Sequence, residues 1–310
     1  MEYILLVVGL FLLIKGADIF VDGACSIAAR LKIPPLVIGL TVVSFGTGAP
    51  EAAISISASL GGSNAVALGN IIGSNLFNML MVIGITSLVL PLSAEKDIVR
   101  RDMPLNILAT GALVIAIFDG AIDRYEALLL LGGIIIYVFF VIKKAMGAKK
   151  EATSTPRFSW FLSMIYVLCG LLAVIIGGDT VVDNARIIAA NLGMSETLIG
   201  LTVVALGTSL PELVTSLVAA RKGEAGIAVG NAVGSCLFNI LFILGITGTI
   251  KPISVENELL TDCAFLAIVS LLVYIFAAKG RKISRLDGAI CVGLYAAYTA
   301  FIILRATTLG

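Results

Sequence analysis

The stretch TVVSFGTGAPEAAIS at 41–55 returns as TVVALGTSLPELVTS at 202–216, and the spacing holds well beyond it. Glu51 and Glu212 stand 161 positions apart. At the same offset Asp18 meets Asp179, Asp22 meets Asp183, and GNIIGSNLFN (69–78) meets GNAVGSCLFN (230–239). Pro91 meets Pro252 and Glu95 meets Glu256, with no gap. Apolar helices match one another by chance in Leu, Ile and Val, but not in aligned Pro, Glu, Asn and Asp. The chain is one unit written twice, so its fold must be assembled from two related halves.

Each copy is written in an apolar alphabet. Of 310 residues, 59% are hydrophobic and 13% charged, with mean hydropathy +1.09; soluble domains carry about a quarter charged residues. This predicts an all-α polytopic membrane protein. At about 20 apolar residues per crossing, roughly ten spans fall near 3–24, 35–60, 64–91, 103–119, 124–142, 159–183, 196–220, 225–250, 260–278 and 286–305. The second and seventh hold the Pro-Glu pairs and are expected to be interrupted. The N-terminal MEYILLVVGLFLLIKGADIF starts with an acid and lacks a basic leader, so it reads as a first span and not a cleaved signal. The organisation expected is a five-helix repeat over 1–142, a linker over 143–157 and a second repeat over 158–310. Five is odd, so the second repeat enters from the opposite side, an inverted arrangement that places a binding site where the halves meet at mid-membrane. Sixteen of the 21 Lys and Arg fall in loops after odd-numbered spans. Basic loops stay cytoplasmic, so a multi-pass cell-membrane protein with extracellular N- and C-termini is predicted.

Composition also narrows the chemistry. A net charge of +1 gives no footprint for nucleic acid, and the absence of histidine removes the usual transition-metal ligand and proton relay. Five scattered cysteines without a CxxC pair read as small buried residues. With no nucleophile–base pair, an enzyme is not expected. No prosthetic cofactor and no obligatory protein partner are implied; the partners are ions and the lipid bilayer.

Pro50 and Pro211 each lack an N–H and clash with the carbonyl four residues back, at Gly46 and Gly207. Neighbouring carbonyls, among them those of Ser44, Thr47, Ala205 and Thr208, are candidates for release, tolerable in lipid only if protein, water or a ligand satisfies them. A carboxylate at mid-membrane costs several kcal/mol and marks function by default. No Lys or Arg lies mid-span to pair with Glu51 or Glu212, and two carboxylates brought together repel. A cation between them relieves both costs. Ser74 and Asn78 are four apart, on one helix face, as are Ser235 and Asn239, and these are assigned as ligands. Asn70, Asn231 and the motif glycines are assigned to helix packing. The donors are all oxygen, which suits hard cations: Ca²⁺, which takes 6–8 oxygens in flexible geometry, and Na⁺. Two carboxylates balance one Ca²⁺ or two Na⁺, the logic of exchange. The repeated Asp18, Asp22, Asp179 and Asp183 are read as structural pairing or capping, with ion entry as the alternative.

GTGAPE with GNIIGSNLFN, and GTSLPE with GNAVGSCLFN, resemble the paired alpha-repeats of the sodium/calcium exchanger family, in its compact prokaryotic form. The resemblance covers essentially the whole chain. It implies Na⁺/Ca²⁺ antiport by alternating access, Glu51 and Glu212 as the central ligands, and Thr47 and Thr208 as ligands through backbone and hydroxyl oxygens. It further implies Ser74 and Ser235 in flanking sodium sites, joined by the carbonyls of Ser44 and Ala205, and Asn78 and Asn239 at the middle. Ca²⁺/H⁺ exchange at the same glutamates is the close alternative, and a passive cation channel a more distant one. Two features depart from the family. Gly48-Ala49 replaces the usual Ser-Leu, removing one hydroxyl, and potassium-dependent relatives carry Asp where this chain has Asn78 or Asn239.

Overall fold

A computed structural model describes residues 1–118, 120–147, 155–194, 205–255 and 257–309. Its helices are α1 (Glu2–Leu31), α2 (Pro35–Thr47), α3 (Ala49–Leu60), α4 (Asn64–Val89), α5 (Met103–Ala116), α6 (Arg124–Gly147), α7 (Trp160–Asn191), α8 (Ala205–Gly207), α9 (Leu210–Arg221), α10 (Ala225–Ile250), α11 (Asn257–Ala278) and α12 (Arg285–Leu309). Helix dominates because lipid offers no partner for the backbone, which must bond within each segment. Among the described residues seven helices are long and apolar enough to span, and the pair α2–α3, bent by 48°, makes an eighth.

Two of the ten expected spans fall outside that count. α5 holds 14 residues, Met103–Ala116, and the π turn Ile98–Asp102 that leads into it carries the charges of Arg100, Arg101 and Asp102. The span expected at 196–220 starts outside the described residues; α8 and α9 are its described part. The first and sixth spans run further than their apolar runs suggested. α1 reaches Leu31 and α7 reaches Asn191, about 45 and 48 Å at 1.5 Å per residue, so both overreach a hydrocarbon core of about 30 Å.

These two long helices pack antiparallel along their length. Gly9, Gly16 and Gly23 of α1 and Gly170 and Gly177 of α7 recur every seventh residue, on one face of each helix. A Cβ on Gly170 would stand 2.5 Å from the Phe20 backbone N, and one on Gly177 2.5 Å from that of Leu13. Only glycine permits this approach, which maximises backbone contact where no hydrophobic force drives helices together. Ion pairs tie one end of the α1–α7 pair to the rest: Lys222, just past α9, reaches Asp18 at 2.7 Å and Asp22 at 2.8 Å, and Arg157 reaches Asp22 at 3.1 Å.

The interior belongs to α4 and α10, whose spans are 78% and 94% buried, against 33% for α1 and α7. Two short ribbons close the ends. β1 (Leu92–Ser93) pairs antiparallel with β4 (Lys282–Ile283), Leu92 opposite Ile283; β2 (Ala121–Ile122) pairs with β3 (Ile253–Ser254), Ile122 opposite Ile253. Moving each strand by 161 positions turns one ribbon into the other. The ribbons sit at opposite ends of α5 and of α11, since one strand precedes each helix and another follows it. The cysteines are all free; Cys236, Cys263 and Cys291 are buried as expected, but Cys169 is exposed, on the outward face of α7.

Gly170→Ala is expected to lower the melting temperature of the purified protein by roughly 3–8 °C through overpacking. Gly132→Ala, where nothing lies within 4 Å of the new Cβ, is expected to leave it nearly unchanged; equal shifts in thermal unfolding would contradict the close α1–α7 contact.

Candidate cation site

The Pro-Glu pairs start helices. α2 ends at Thr47, Gly48 turns the chain at φ −78°, ψ 2°, and α3 begins with Ala49 and Pro50, placing Glu51 in its first turn. In the second half Ser209 turns at φ −98°, ψ 11°, and α9 begins with Leu210 and Pro211, with Glu212 in its first turn. Proline suits a helix start because its missing N–H has no intrahelical partner there. An acid in the first turn also faces the positive end of the helix dipole. The prolines thus place each carboxylate at a helix N-terminus inside the protein.

Two asparagines hold these turns. Asn70 of α4 donates from Nδ2 to the Glu51 carbonyl at 3.3 Å and to Ser55 Oγ at 2.9 Å. Asn231 of α10 donates to the Glu212 carbonyl at 3.2 Å and to Ser216 Oγ at 2.9 Å. The same bonds recur at the 161-residue offset. Asn231 Oδ1 also accepts from Thr47 Oγ1 at 3.2 Å, crossing between the halves. Packing was the role expected for these asparagines, and the structure gives it a specific form.

Both carboxylates are 1% exposed. Ser209 Oγ donates to Glu51 Oε1 at 3.0 Å. Glu51 Oε2, Glu212 Oε2, Ser235 Oγ, Asn239 Oδ1 and both polar atoms of Asn78 are buried without a hydrogen-bond partner. No Lys or Arg pairs with either glutamate among the described residues. Thr47 is fully buried, its hydroxyl also donating to the Val43 carbonyl at 3.1 Å, and Ser74 is 3% exposed. Ser44 is buried; its carbonyl accepts the Gly48 N–H at 3.0 Å and its hydroxyl donates to the Thr41 carbonyl at 3.3 Å. That carbonyl stays in the helical ladder, contrary to the expected release, and offers only its second lone pair. Thr208 lies at the turn, half-buried, and Ala205 opens α8.

Among the described residues no cluster of three or more His, Cys, Asp or Glu occurs. The donors are two acids and a set of neutral oxygens, chemistry suited to a hard cation that is held and released. Burying two like charges without a counter-ion costs several kcal/mol for each, so a cation at this point repays a penalty already present in the fold.

Several participants escaped the sequence reading. Ser55 and Ser216, each four residues after its glutamate, support the asparagines. Ser209 supplies the hydroxyl to Glu51, and its counterpart is Gly48. A Cβ at Gly48 would lie 3.0 Å from Phe238 Cδ1, and that ring packs on Phe45 and Phe242 at centroid distances of 4.5 and 4.8 Å. The counterparts of Phe45 and Phe242 are Leu206 and Met81, so this stack, drawn from both halves, has no aromatic equivalent at those matched positions. π turns at Asn78–Val82 and Phe238–Ile243 set the helical register at Asn78 and Asn239; such bulges gather at functional sites, and no residue pattern announced them.

The chain matches the family model described as sodium/calcium exchanger protein over residues 1–143 and 162–304. It is 32% identical to the sodium/calcium exchanger MaX1 of Methanosarcina acetivorans, over 96% of this chain and 97% of that one. It is 38% identical to the inner membrane protein YrbG of Escherichia coli K12, over 80% and 79%. Among solved structures it is similar to the sodium-calcium exchanger NCX_Mj soaked with 2.5 mM Na⁺ and 0.1 mM Ca²⁺, with TM-score 0.85, 33% identity and 96% and 97% of the two chains covered.

Asn231→Ala removes two donated bonds and the acceptor of Thr47, and is expected to cost roughly 1–3 kcal/mol of stability. Asn70→Ala is expected to cost less, since Asn70 is only half-buried. Thermal unfolding of both variants checks the order, and a larger loss at Asn70 would contradict the network.

Proposed function

Because this chain belongs to the sodium/calcium exchanger protein family, whose members are transporters and not enzymes, we propose that it is a secondary antiporter that exports Ca²⁺ in exchange for Na⁺. The observation that carries the reading is that Glu51, Glu212, Asn78, Asn239 and Ser235, drawn from both halves, each hold a buried polar atom without a hydrogen-bond partner. Such a set is costly when empty and favourable around a cation.

In this account Glu51 and Glu212 bind Ca²⁺ centrally and are shared, in turn, with Na⁺. Thr47, Ser74 and the Ser44 carbonyl serve one flank; Thr208, Ser235 and the Ala205 carbonyl serve the other; Asn78 and Asn239 border the centre. The two carboxylates neutralise either cargo, so one ion leaves as the other enters. The matched ribbons and matched asparagine bonds support an inverted repeat of residues 1–142 and 158–310 joined by the 143–157 linker, with the site at the midplane. A site built this way is reached from either side by related movements. α1 and α7, joined through their glycines, move together past the core as the gate. The linker faces the cytoplasm and both termini lie outside, as the charge bias requires. The cell membrane is its location, and the cycle needs only the two ions and the bilayer.

⁴⁵Ca²⁺ uptake into proteoliposomes loaded with Na⁺, compared with choline-loaded ones, tests the reading. Uptake is expected only with internal Na⁺, to resist a protonophore, and to fall at least about tenfold in Glu51→Gln and Glu212→Gln. Uptake driven by a pH gradient alone would identify Ca²⁺/H⁺ exchange at the same glutamates. Uptake indifferent to both gradients would leave a passive channel.

A further inference from the structure

The site's centre is not symmetric, and the difference lies behind the ligands. α4 and α10 meet where Asn75 and Cys236, matched positions of the two halves, face one another. Asn75 Nδ2 donates to the Cys236 carbonyl at 3.3 Å, and Cys236 Sγ points back at the Asn75 carbonyl at 3.7 Å. Asn239 Nδ2 donates to Asn75 Oδ1 at 3.0 Å. The orientations follow from one another. A backbone carbonyl only accepts, so Asn75 must turn its amide nitrogen to Cys236 and its oxygen to Asn239. Asn239 must then present nitrogen to Asn75, leaving its own Oδ1 free. That oxygen is buried and unpartnered. In the other half the place of Asn75 is taken by Cys236, whose sulfur is a weak acceptor engaged elsewhere. Asn78 accordingly has neither polar atom bonded.

We infer that Asn75 is a positioning residue: it fixes the Asn239 side-chain amide with its oxygen toward the cation, whereas Cys236 leaves Asn78 unfixed. Asn239 is thus a standing oxygen ligand, and Asn78 must be turned by the ion itself, at a cost in affinity. This assignment rests on the cation site proposed above. Its test reads binding directly, so a failure of sodium coupling leaves it intact.

The test is equilibrium ⁴⁵Ca²⁺ binding to the purified full-length protein, with folding checked by size-exclusion chromatography. Asn75→Ala and Asn239→Ala are each expected to raise the Kd roughly three- to tenfold. The double variant is expected to be no weaker than Asn239→Ala alone, because Asn75 acts only through Asn239. A residue that merely supports the fold would add its loss in the double variant, and additive losses would overturn the inference. Cys236→Asn tests it from the other side by supplying the missing partner. It is expected to lower the Kd about threefold or more, and the gain is expected to vanish in Cys236→Asn with Asn78→Ala. A folded Cys236→Asn protein with unchanged Kd would overturn the inference even if the Asn75 variant failed to fold.

Discussion

Two carboxylates buried together in a protein surrounded by lipid set the terms for everything else. Glu51 and Glu212 are removed from water, and among the described residues no basic side chain pairs with either. A fold can keep such a pair only by surrounding it with oriented dipoles and by leaving room for a mobile positive charge. The helix starts at Ala49 and Leu210 aim N-terminal dipoles at the acids. Asn70 and Asn231 lock the turns that create those starts. Glu51 Oε2, Glu212 Oε2, Ser235 Oγ and the amide oxygens of Asn78 and Asn239 stay unpartnered, which is expensive in a resting interior and useful in one that must receive and surrender a bare cation.

The rest of the architecture serves that centre. The most buried helices, α4 and α10, carry the asparagines and serines. The long helices α1 and α7, each only 33% buried, touch each other backbone to backbone. At one end Lys222 bridges Asp18 and Asp22 of α1. At the matched position the other half has Gly61, which carries no charge to offer Asp179 and Asp183, and the described residues hold no such lysine bond there. The two ends of the molecule are related by the repeat, yet they are fastened differently.

Much of this was legible in the residues, because duplication exposes function. Glu51, Glu212, Ser74, Asn78, Ser235 and Asn239 stood out as polar positions repeated at one offset in apolar helices, and the structure buries every one of them. Span boundaries were less legible: α1 and α7 continue past their apolar runs into polar turns, where hydropathy no longer reports helix. The π turns at Asn78 and Phe238 were invisible, since a one-residue widening of a helix has no compositional signature. Ser209 and Asn75 were also missed as partners. Their roles lie in the mismatches between copies, Gly48 against Ser209 and Cys236 against Asn75, and a reading tuned to what repeats passes over what does not. Ser44 was misread in part, because its carbonyl keeps its ladder bond when the helix breaks one turn later.

The central claim is that one pocket holds Ca²⁺ or Na⁺ but never both. Equilibrium ⁴⁵Ca²⁺ binding to the purified protein, titrated at increasing Na⁺ with choline held complementary, tests it most directly. The account predicts that Na⁺ raises the apparent Kd for Ca²⁺ progressively while the number of Ca²⁺ bound per chain at saturation stays constant. A Ca²⁺ affinity that does not respond to Na⁺, or a capacity that falls with affinity unchanged, would contradict it.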